Sequence, residues 1–511
     1  MRRYDSAVPV EPWTPHLPAG LTFAAADLLE ARTLPAHWAE TWAADPARPA
    51  LAGPQGSWTS GRLDEATRAA AAGLHAAGLG EGDRLVWSPA PTFESMAACL
   101  GALRLGAVVV PVNPDLTERE LSHVVGDVQP ALSVAEGQVA ERLASLSPSG
   151  QHVTAATALG EGAPAVVLDR CGPQDPAMIV YTSGTTGVPK GAVLTHANLV
   201  AGTATLRLAW RWEPDDRLVL ALPLFHVHGL VAGLLGTLSA GASAVVLERF
   251  SIEGVLDAAA RGATLFFGVP TMYHRLVSSG RAANLARLRL CVSGSAALPA
   301  DLWRRAAADG VSVLERYGTT ETFLTVSNPY DGERRPGTVG FPLPGAEIRL
   351  EGDPGGPGEG LGDGIGVLLV RGPTVFGGYW QRPAATAEAF IDGWFRTGDM
   401  ASFDADGYVT LHGRRLDLII SGGFNVYPAE VEDVLLSHPS VAEVAVVGTP
   451  SEEWGEAVTA WVVPADGAVD TDVLCRYAAE RLAPYKQPRA VRIVDALPRN
   501  ALGKVLRHEL R

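Results

Sequence analysis

Tyr181-Thr-Ser-Gly-Thr-Thr-Gly-Val-Pro-Lys-Gly191 continues an apolar run, Ala177-Met-Ile-Val-Tyr-Thr182, that predicts a buried strand. Glycines let backbone N–H groups approach an anion, hydroxyl groups donate further hydrogen bonds, and a lysine supplies positive charge. The spacing differs from the Gly-x-x-x-x-Gly-Lys-Ser/Thr of P-loop enzymes. The stretch therefore predicts a phosphate-binding turn of another class, placed at the end of a strand.

Lysine is rare in this chain and occurs only as Lys190, Lys486 and Lys504. Arginine is a broad planar fork, whereas lysine is a compact point charge on a flexible stem. Lys190 closes the turn quoted above, and Lys504 lies in the Gly-containing stretch Pro498-Arg-Asn-Ala-Leu-Gly-Lys-Val505. We therefore expect both residues to act as mobile point charges. Lys486 has two interpretations, a functional lysine or a surface contact of the C-terminal region.

The composition bounds the class of protein. A chain of 511 residues with 47% hydrophobic residues and a net charge of −15 predicts a globular protein of more than one domain. The acidic charge argues against nucleic acid and membrane surfaces as partners. The four cysteines are widely spaced and form no zinc pattern, which is typical of reduced cytosolic thiols. We expect a cytoplasmic protein without a signal peptide.

One uncharged stretch must be considered as a possible membrane-spanning segment. Leu218 to Leu247 contains no Asp, Glu, Lys or Arg and is long enough to span a bilayer. Pro223, His226 and His228 interrupt it, together with several glycines and serines. We interpret the stretch as a strand, a loop, a buried helix and a second strand of a globular domain.

The chain alternates short apolar runs with helical segments, which predicts parallel sheets covered by helices. The last ~95 residues form a smaller α+β pattern of their own. We predict an N-terminal arm over residues 1–34, a large α/β domain over residues 35–413 and a small domain over residues 414–511. The hinge is placed near residues 413–417.

The quoted turn is similar to the signature of the acyl-adenylate-forming superfamily, which includes acyl-CoA synthetases, luciferase-type enzymes and peptide-synthetase adenylation domains. Further segments resemble the later motifs of that family, in the same order. They are Arg316-Tyr-Gly-Thr-Thr-Glu321, Trp394-Phe-Arg-Thr-Gly-Asp399, Gly413-Arg-Arg-Leu-Asp-Leu-Ile-Ile-Ser-Gly-Gly-Phe-Asn-Val-Tyr-Pro428 and Pro498–Val505. The resemblance covers nearly all residues from about 35 to 511.

The resemblance implies a large domain of parallel α/β layers with a β-barrel-like subdomain, and a small mobile α+β domain. It also implies a two-step reaction. A carboxylate attacks the α-phosphate of ATP to give acyl-AMP and pyrophosphate, and the thiol of CoA then displaces AMP. Such a reaction uses ATP, Mg²⁺ and CoA, and its first step depends on cations and aligned donors.

The resemblance also assigns roles to individual residues. The β- and γ-phosphates fall to Thr182, Ser183, Gly184, Thr185, Thr186 and Lys190. Around the rest of the nucleotide, Tyr317 and Gly318 lie by the adenine, Thr320 touches the α-phosphate, Glu321 holds Mg²⁺, Asp399 accepts the ribose hydroxyls and Arg414 lies nearby. Lys504 bridges the attacking carboxylate and the α-phosphate, and Ser421, Gly422 and Gly423 line the path of CoA. Between the two steps the small domain rotates; Leu416 stands where the family commonly has Asp or Lys as the pivot.

The predicted acid pocket most resembles that of malonyl-CoA synthetases, so we expect a short acid such as malonate or methylmalonate. Its residues are His226, Arg275, Ser293, Gly294, Ser295 and Thr319. A buried guanidinium needs an anionic partner, so a pocket arginine at Arg275 would pair with the second carboxylate. Arg275 has an equal alternative as the exposed end of a helix. Thr319 stands where methionine is common, and the loop from Ser421 resembles that of fatty-acyl and aryl ligases.

Two other functions stay open at this point. The chain could activate another fatty, aryl or small acid and transfer it to a carrier protein or an amine. Alternatively, it could bind nucleotide without catalysis, although Lys504 argues against that. The sequence leaves the oligomeric state open, and residues 1–34 could form a disordered arm, a dimer contact or a strap.

Overall fold

The computed structural model describes the chain except for residues 1–12, 19–20, 22–32, 147–150, 161–162, 183–188, 352–363, 422–423, 452–453, 466, 468, 483 and 501–503. The α-helices of the described ranges are α1 (Leu34–Ala44), α2 (Ser60–Ala76), α3 (Phe93–Leu105), α4 (Glu118–Val128), α5 (Gly137–Leu146), α6 (Ala155–Ala158), α7 (His196–Ala209), α8 (Gly236–Ser239), α9 (Ile252–Ala260), α10 (Pro270–Ser278), α11 (Ala300–Ala308), α12 (Pro383–Ala389), α13 (Pro428–Leu436) and α14 (Thr471–Ala479). A π-helix spans His228–Leu235, and short 3₁₀ turns span Thr14–His16, Ala282–Arg287, Arg415–Asp417 and Arg507–Glu509.

Threonine side chains fix the starts of several helices. Thr117 accepts a hydrogen bond from the backbone of Glu120, and the Glu120 carboxylate accepts one in return, which forms a capping box at the start of α4. Thr195 and Asn198 form the same arrangement at the start of α7. These caps satisfy backbone N–H groups that have no partner inside the helix.

A nine-stranded sheet forms the centre of the large domain. Its order is β15 (Phe341–Pro342), β14 (Val326–Ser327), β13 (Val313–Tyr317), β12 (Leu290–Ser293), β11 (Leu265–Gly268), β9 (Arg217–Leu220), β10 (Ser243–Val246), β1 (Pro49–Gly53) and β2 (Gly56–Thr59). The six strands from β13 to β1 are parallel. The continuous apolar runs of these strands agree with burial on both faces.

A six-stranded sheet lies beside it. Its order is β6 (Gln151–Val153), β5 (Leu132–Val134), β3 (Arg84–Trp87), β4 (Val108–Pro111), β7 (Pro176–Thr182) and β8 (Lys190–Thr195). All of its pairs are parallel except β7 and β8, whose hairpin carries the predicted phosphate turn. The largest buried cluster joins both sheets, with Trp87, Met178, Leu218 and Phe267 among its members.

Two further sheets complete the fold. One is antiparallel and contains β16 (Glu347–Leu350), β17 (Ile365–Arg371), β19 (Trp394–Phe403), β18 (Phe390–Ile391) and β20 (Val409–Arg414). The other belongs to the small domain and contains β22 (Phe424–Val426), β21 (Ile419–Ser421), β24 (Gly455–Pro464), β23 (Val441–Ser451) and β25 (Ala490–Ile493), packed with α13 and α14.

The predicted fold class is confirmed, because parallel layers, a separate curled antiparallel sheet and a smaller α+β domain are all present. The uncharged stretch from Leu218 to Leu247 forms β9, the π-helix, α8 and β10, as expected. Within the described ranges, no helix is long and apolar enough to cross a membrane. The exact domain boundaries and the pivot stay predictions.

Part of the predicted N-terminal arm contacts the large domain. His16 is fully buried, and its Nε2 lies 3.2 Å from the carbonyl oxygen of Phe341. Arg211 donates to the carbonyl oxygen of His16 at 2.6 Å. Of the three roles left open for residues 1–34, these contacts support a strap.

We expect Arg104→Ala to lower the free energy of unfolding by about 3–5 kcal/mol, because it removes one member of a buried ionic cluster. Arg104 is fully buried and contacts Asp64 at 2.5 Å and Asp169 at 2.9 Å. Urea titration followed by tryptophan fluorescence measures the change. The control is Arg62→Ala, which removes an exposed ion pair of 3.4 Å with Glu65 and should cost under about 1 kcal/mol. Equal losses in the two variants would contradict the prediction.

Candidate active site

A buried ion pair lies where three parts of the chain meet. Asp399 in β19 is 8% exposed, and its Oδ1 lies 2.7 Å from Nε of Arg414, the last residue of β20. The hydroxyl of Tyr317, at the end of β13, donates to Oδ2 of Asp399 at 2.6 Å. Burial raises the pKa of Asp399, and the Arg414 charge opposes that change. A guanidinium and a phenol therefore both bind the carboxylate of the predicted ribose aspartate and offset part of the cost of burying it.

Lys504 reaches the same place from the small domain. Reduced hydration and the nearby Arg414 guanidinium lower the pKa of Lys504, while Asp399 and Asp417 oppose this. The Asn500 side chain accepts a hydrogen bond from the Lys504 backbone at 2.9 Å, and the Lys504 carbonyl accepts from the Asn500 backbone. Asp399 and Arg414 are therefore among the charges that act on the predicted catalytic lysine, which is itself exposed.

A third group surrounds Glu321. Tyr379 donates its hydroxyl to Oε1 of Glu321 at 3.0 Å, and Lys190 Nζ lies 5.3 Å from the centroid of the same Tyr379 ring. Burial and the Glu321 carboxylate raise the pKa of Tyr379, so it remains a donor at neutral pH. Tyr379 thus links the predicted magnesium ligand with the predicted phosphate lysine, a contact that the motifs alone did not indicate.

The phosphate turn is described at its two ends only. Thr182 and Lys190 are paired across β7 and β8, and the Thr182 hydroxyl donates to the Lys190 carbonyl oxygen at 3.4 Å. Ser183, Gly184, Thr185 and Thr186 lie outside the described residues.

The turn after β13 is tightly packed. A Cβ at Gly318 would overlap the Phe323 carbonyl oxygen and lie 2.8 Å from the Leu324 Cα, so only glycine fits there. Thr319 donates its backbone N–H to the Thr322 hydroxyl at 3.2 Å. Thr320 lies between this turn and Glu321 and is partly exposed. The close packing sets the direction in which Thr320 and Glu321 leave the sheet.

The predicted acid pocket has a buried polar wall. His228 Nδ1 lies 3.2 Å from the Ser295 hydroxyl, and its ring stacks on Phe267 with centroids 6.4 Å apart. Ser295 has a positive φ of 71°, a strained geometry for a residue with a side chain. Burial holds the pKa of His228 well below its usual value, so the ring is neutral. His226, on the neighbouring turn, has its pKa lowered to about 4 by burial.

Arg316 was missed by sequence reasoning. It is 6% exposed, and among the described residues its buried Nε and Nη2 atoms have no hydrogen-bond partner. A Cβ at Gly294 would lie 2.7 Å from Nη2, so the guanidinium rests directly on this glycine. The Ser293 hydroxyl and His228 Nε2 are likewise buried without a partner in the described part of the chain. Strand alternation shows that Arg316 and Tyr317 face opposite sides of β13, but it does not show what lies opposite Arg316.

Arg275, unlike Arg316, is not buried. It lies near the end of α10, is exposed, and its guanidinium lies 4.9 Å from the centroid of the Phe250 ring. Arg275 also interacts electrostatically with the fully exposed Glu253. This placement fits the second of the two alternatives, the exposed end of a helix.

The remaining predicted residues lie in the small domain. Ser421 is 1% exposed and pairs with Gly455 between β21 and β24, while Gly422 and Gly423 lie outside the described residues. Lys486 donates to both carboxylate oxygens of Glu430 at 2.7 Å, which supports its interpretation as a structural contact of the small domain. In the ranges that the structure describes, no group of three or more His, Cys, Asp or Glu side chains could hold a metal.

Two family descriptions match the chain. The AMP-binding enzyme family matches residues 38–380, and the AMP-binding enzyme C-terminal domain matches residues 430–504. The first match covers well over half of the chain.

Similar proteins include ligases for different acids. Feruloyl-CoA synthase of Amycolatopsis sp is 39% identical over 460 residues, covering 86% of this chain and 90% of that protein. The mitochondrial malonate–CoA ligase of Mus musculus is 40% identical over 457 residues, covering 79% and 77%. The crystal structure of ATP-bound MatB from Rhodopseudomonas palustris matches with a TM-score of 0.88 at 39% identity, covering 94% of this chain and 98% of that one.

We expect Gly318→Ala to abolish nucleotide binding and to destabilise the protein by about 1–3 kcal/mol, since the new methyl group must displace backbone. Isothermal titration with ATP and urea titration measure the two effects. The control is Gly126→Ala in α4, where an added Cβ meets no atom within 4 Å and should be neutral or stabilising by up to about 1 kcal/mol. Tight ATP binding by the Gly318 variant would contradict the geometry.

Proposed function

The chain belongs to the AMP-binding enzyme family as an AMP-forming acid–CoA ligase, and we propose that its acid is a short dicarboxylate of the malonate or methylmalonate class. Acid–CoA ligases of this family use ATP and CoA as substrates. The proposal concerns the acid, the roles of single residues and the use of Mg²⁺.

For adenylation, we assign each polar or charged residue of the site to a different part of the nucleotide. Asp399, held by Arg414 and Tyr317, presents carboxylate oxygens that suit the two ribose hydroxyls. Lys190 provides a point charge for the leaving pyrophosphate, and Thr320 supplies a hydroxyl donor for the α-phosphate. The Glu321 carboxylate suits Mg²⁺, which when bound would neutralise charge on the phosphates.

Lys504 has the most specific role in this step. Its ammonium can donate to both the attacking carboxylate and the α-phosphate oxygen, so that it reduces the repulsion between two anions as they approach. The electrostatic interactions with Asp399 and Arg414 support this role, because Asp399 is the residue that we propose for the ribose. The buried pair keeps the ribose fixed, which limits the motion of the reacting phosphate.

The acid class rests on one observation, the buried guanidinium of Arg316 without a partner. Burial lowers the pKa of Arg316 to about 9, because the protein around the guanidinium solvates its charge poorly. A carboxylate beside Nε and Nη2 would accept two parallel hydrogen bonds and neutralise the charge. The first carboxylate of the acid must face the α-phosphate, so the group that meets Arg316 is a second carboxylate.

Two neighbours of Arg316 strengthen the proposal. The neutral His228 offers a ring nitrogen without a partner, and Ser293 offers a hydroxyl, so a carboxylate has up to three donors on this wall. The missing side chain of Gly294 leaves space for the guanidinium itself, whose Nη2 lies 2.7 Å from where a Cβ would stand. A neutral aryl acid would leave the guanidinium buried and unpaired, which costs several kcal/mol.

Arg275 remains a second candidate for the same carboxylate. Its guanidinium rests on Phe250, a contact worth about 0.5–1 kcal/mol at exposed sites, so it could turn to an anion at low cost. Assigning the second carboxylate to Arg316 or to Arg275 leads to different expected effects of mutation, because Arg316 is buried and Arg275 is exposed.

We expect Arg316→Met to lower kcat/KM for malonate by about 10²–10⁴-fold, equivalent to the roughly 3–5 kcal/mol lost when one member of a buried ion pair is removed. Activity with acetate or butyrate should be unchanged or improved. The measurement is AMP and acyl-CoA formation with ATP, Mg²⁺ and CoA over malonate, methylmalonate, acetate, butyrate, octanoate and benzoate. Arg316→Lys, which retains a positive charge, should recover part of the malonate activity.

Arg275→Leu separates the two candidates on the same acids. If Arg316 binds the second carboxylate, this variant changes the preference for malonate by less than about threefold, as expected for an exposed charge. Loss of malonate activity in Arg275→Leu with normal activity in Arg316→Met would transfer the role to Arg275. A wild-type preference for ferulate or benzoate would overturn the dicarboxylate proposal as a whole.

The role of Lys504 predicts a pH dependence of adenylation. Reduced hydration and Arg414 lower the pKa of Lys504, and only the ammonium form can bridge two anions, so kcat/KM should fall on the alkaline side below the usual lysine pKa. Acid-dependent ATP–pyrophosphate exchange between pH 6 and 10 measures this. Lys504→Arg should be slower but should lose the alkaline fall, because arginine keeps its proton. An unchanged alkaline fall in that variant would assign the titration to another group.

A further inference from the structure

One face of α4 contacts the chain on both sides of the turn that joins β7 to β8. His123 and Asp127 are four residues apart and therefore lie on the same face of this helix. His123 Nε2 lies 2.9 Å from the carbonyl oxygen of Pro189, which directly precedes Lys190. Tyr181 donates its hydroxyl to Oδ2 of Asp127 at 2.6 Å. The helix thus holds the chain immediately before and after the predicted phosphate turn.

Asp127 also holds a second segment of the site. Its Oδ1 accepts from Arg382 at 2.7 Å, and its backbone carbonyl accepts from Trp380 Nε1 at 3.3 Å. Trp380 in turn donates its backbone N–H to the Gly191 carbonyl oxygen at 2.7 Å. Gly191 is paired with Tyr181 across the hairpin, so Asp127 closes a ring of contacts around the residue that follows Lys190.

This ring brings together the two partners of the cation–π contact at the site. Lys190 precedes Gly191, and Tyr379 precedes Trp380. The Lys190 amino group lies 5.3 Å from the centroid of the Tyr379 ring. Tyr379 also donates to Glu321. The Asp127 side chain is 8% exposed, whereas Arg382 is 43% exposed, so the carboxylate is the fixed centre of the arrangement.

We propose that Asp127 is a positioning residue for adenylation, which sets Lys190 and the Tyr379–Glu321 pair relative to each other without contacting substrate. The inference rests on the proposed role of Lys190 at the phosphates. Removing the carboxylate charge frees Arg382 and weakens the hold on Tyr181, so Lys190 would meet the phosphates in the right place less often. The defect should appear in the use of ATP and not in the transfer to CoA.

The test compares half-reactions in the full-length protein. Asp127→Asn keeps the size of the side chain and removes its charge, and Tyr181→Phe removes one hydrogen bond only. We expect both variants to raise KM for ATP in acid-dependent ATP–pyrophosphate exchange, by about 10-fold or more for Asp127→Asn. Thioester formation from supplied acyl-AMP and CoA should stay within about twofold of the unchanged protein.

The matched control is Asp169→Asn, which weakens a carboxylate–arginine pair with the fully buried Arg104. It should lower the thermal midpoint and leave KM for ATP unchanged. If Asp127→Asn behaves in the same way, Asp127 is structural only and the inference is wrong. An equal loss in both half-reactions would also overturn it.

Lys190→Ala separates this inference from the function on which it rests. If Lys190→Ala leaves KM for ATP unchanged, the proposed role of Lys190 fails, and the positioning role fails with it. If Lys190→Ala raises KM for ATP while Asp127→Asn does not, the proposed function stands and the inference about Asp127 is overturned. Arg382→Lys, which keeps a charge beside Asp127, should stay within about threefold of the unchanged protein.

Discussion

The Asp399–Arg414 ion pair is the contact on which the active site depends. Asp399 lies in the antiparallel sheet, its second oxygen is bonded to Tyr317 of the nine-stranded sheet, and Lys504 of the small domain interacts with both charges. Arg414 is also the last residue before the 3₁₀ turn of the predicted hinge. A buried carboxylate is unfavourable unless it is paired, so the three parts of the chain must meet correctly for the pair to be stable. The stability of this contact therefore depends both on the order of the predicted nucleotide site and on the position of the small domain.

The two halves of the site handle charge in opposite ways. On the predicted nucleotide side, the described carboxylates have partners: Asp399 pairs with Arg414, and Glu321 accepts from the Tyr379 hydroxyl, whose ring also contacts Lys190. On the acid side, the guanidinium of Arg316 and the polar atoms of Ser293 and His228 are buried without partners in the described residues. Buried polar atoms are normally satisfied, and our proposal is that a substrate carboxylate satisfies those of this wall.

The sequence predicted what depends on local pattern and on motifs. The apolar run Ala177–Thr182 predicted a strand, which spans Pro176–Thr182, and the uncharged stretch from Leu218 to Leu247 forms the predicted strand, buried helix and second strand. The convergence of Tyr317, Asp399, Arg414 and Lys504 followed from the family motifs. Arg316 and Asp127 could not be found in this way, because their importance depends on what lies opposite them across a sheet or a helix face. Arg275 drew attention through its motif, but no linear pattern tells whether a helix side chain faces a pocket or the solvent.

The identity of the acid is a matter of a few side chains and not of overall similarity. Proteins named for a small dicarboxylate and for a bulky aryl acid are about equally similar to this chain, so the scaffold and its nucleotide site place little constraint on the acid. If Arg316 lines the acid pocket as proposed, its buried guanidinium would constrain the acid, because the cost of leaving that charge unpaired is larger than the gain from burying a few apolar carbons. A second carboxylate removes the cost and adds directed hydrogen bonds, while a methyl branch adds only about one buried carbon. The physical expectation is therefore strong discrimination between one and two carboxylates, and weak discrimination between malonate and methylmalonate.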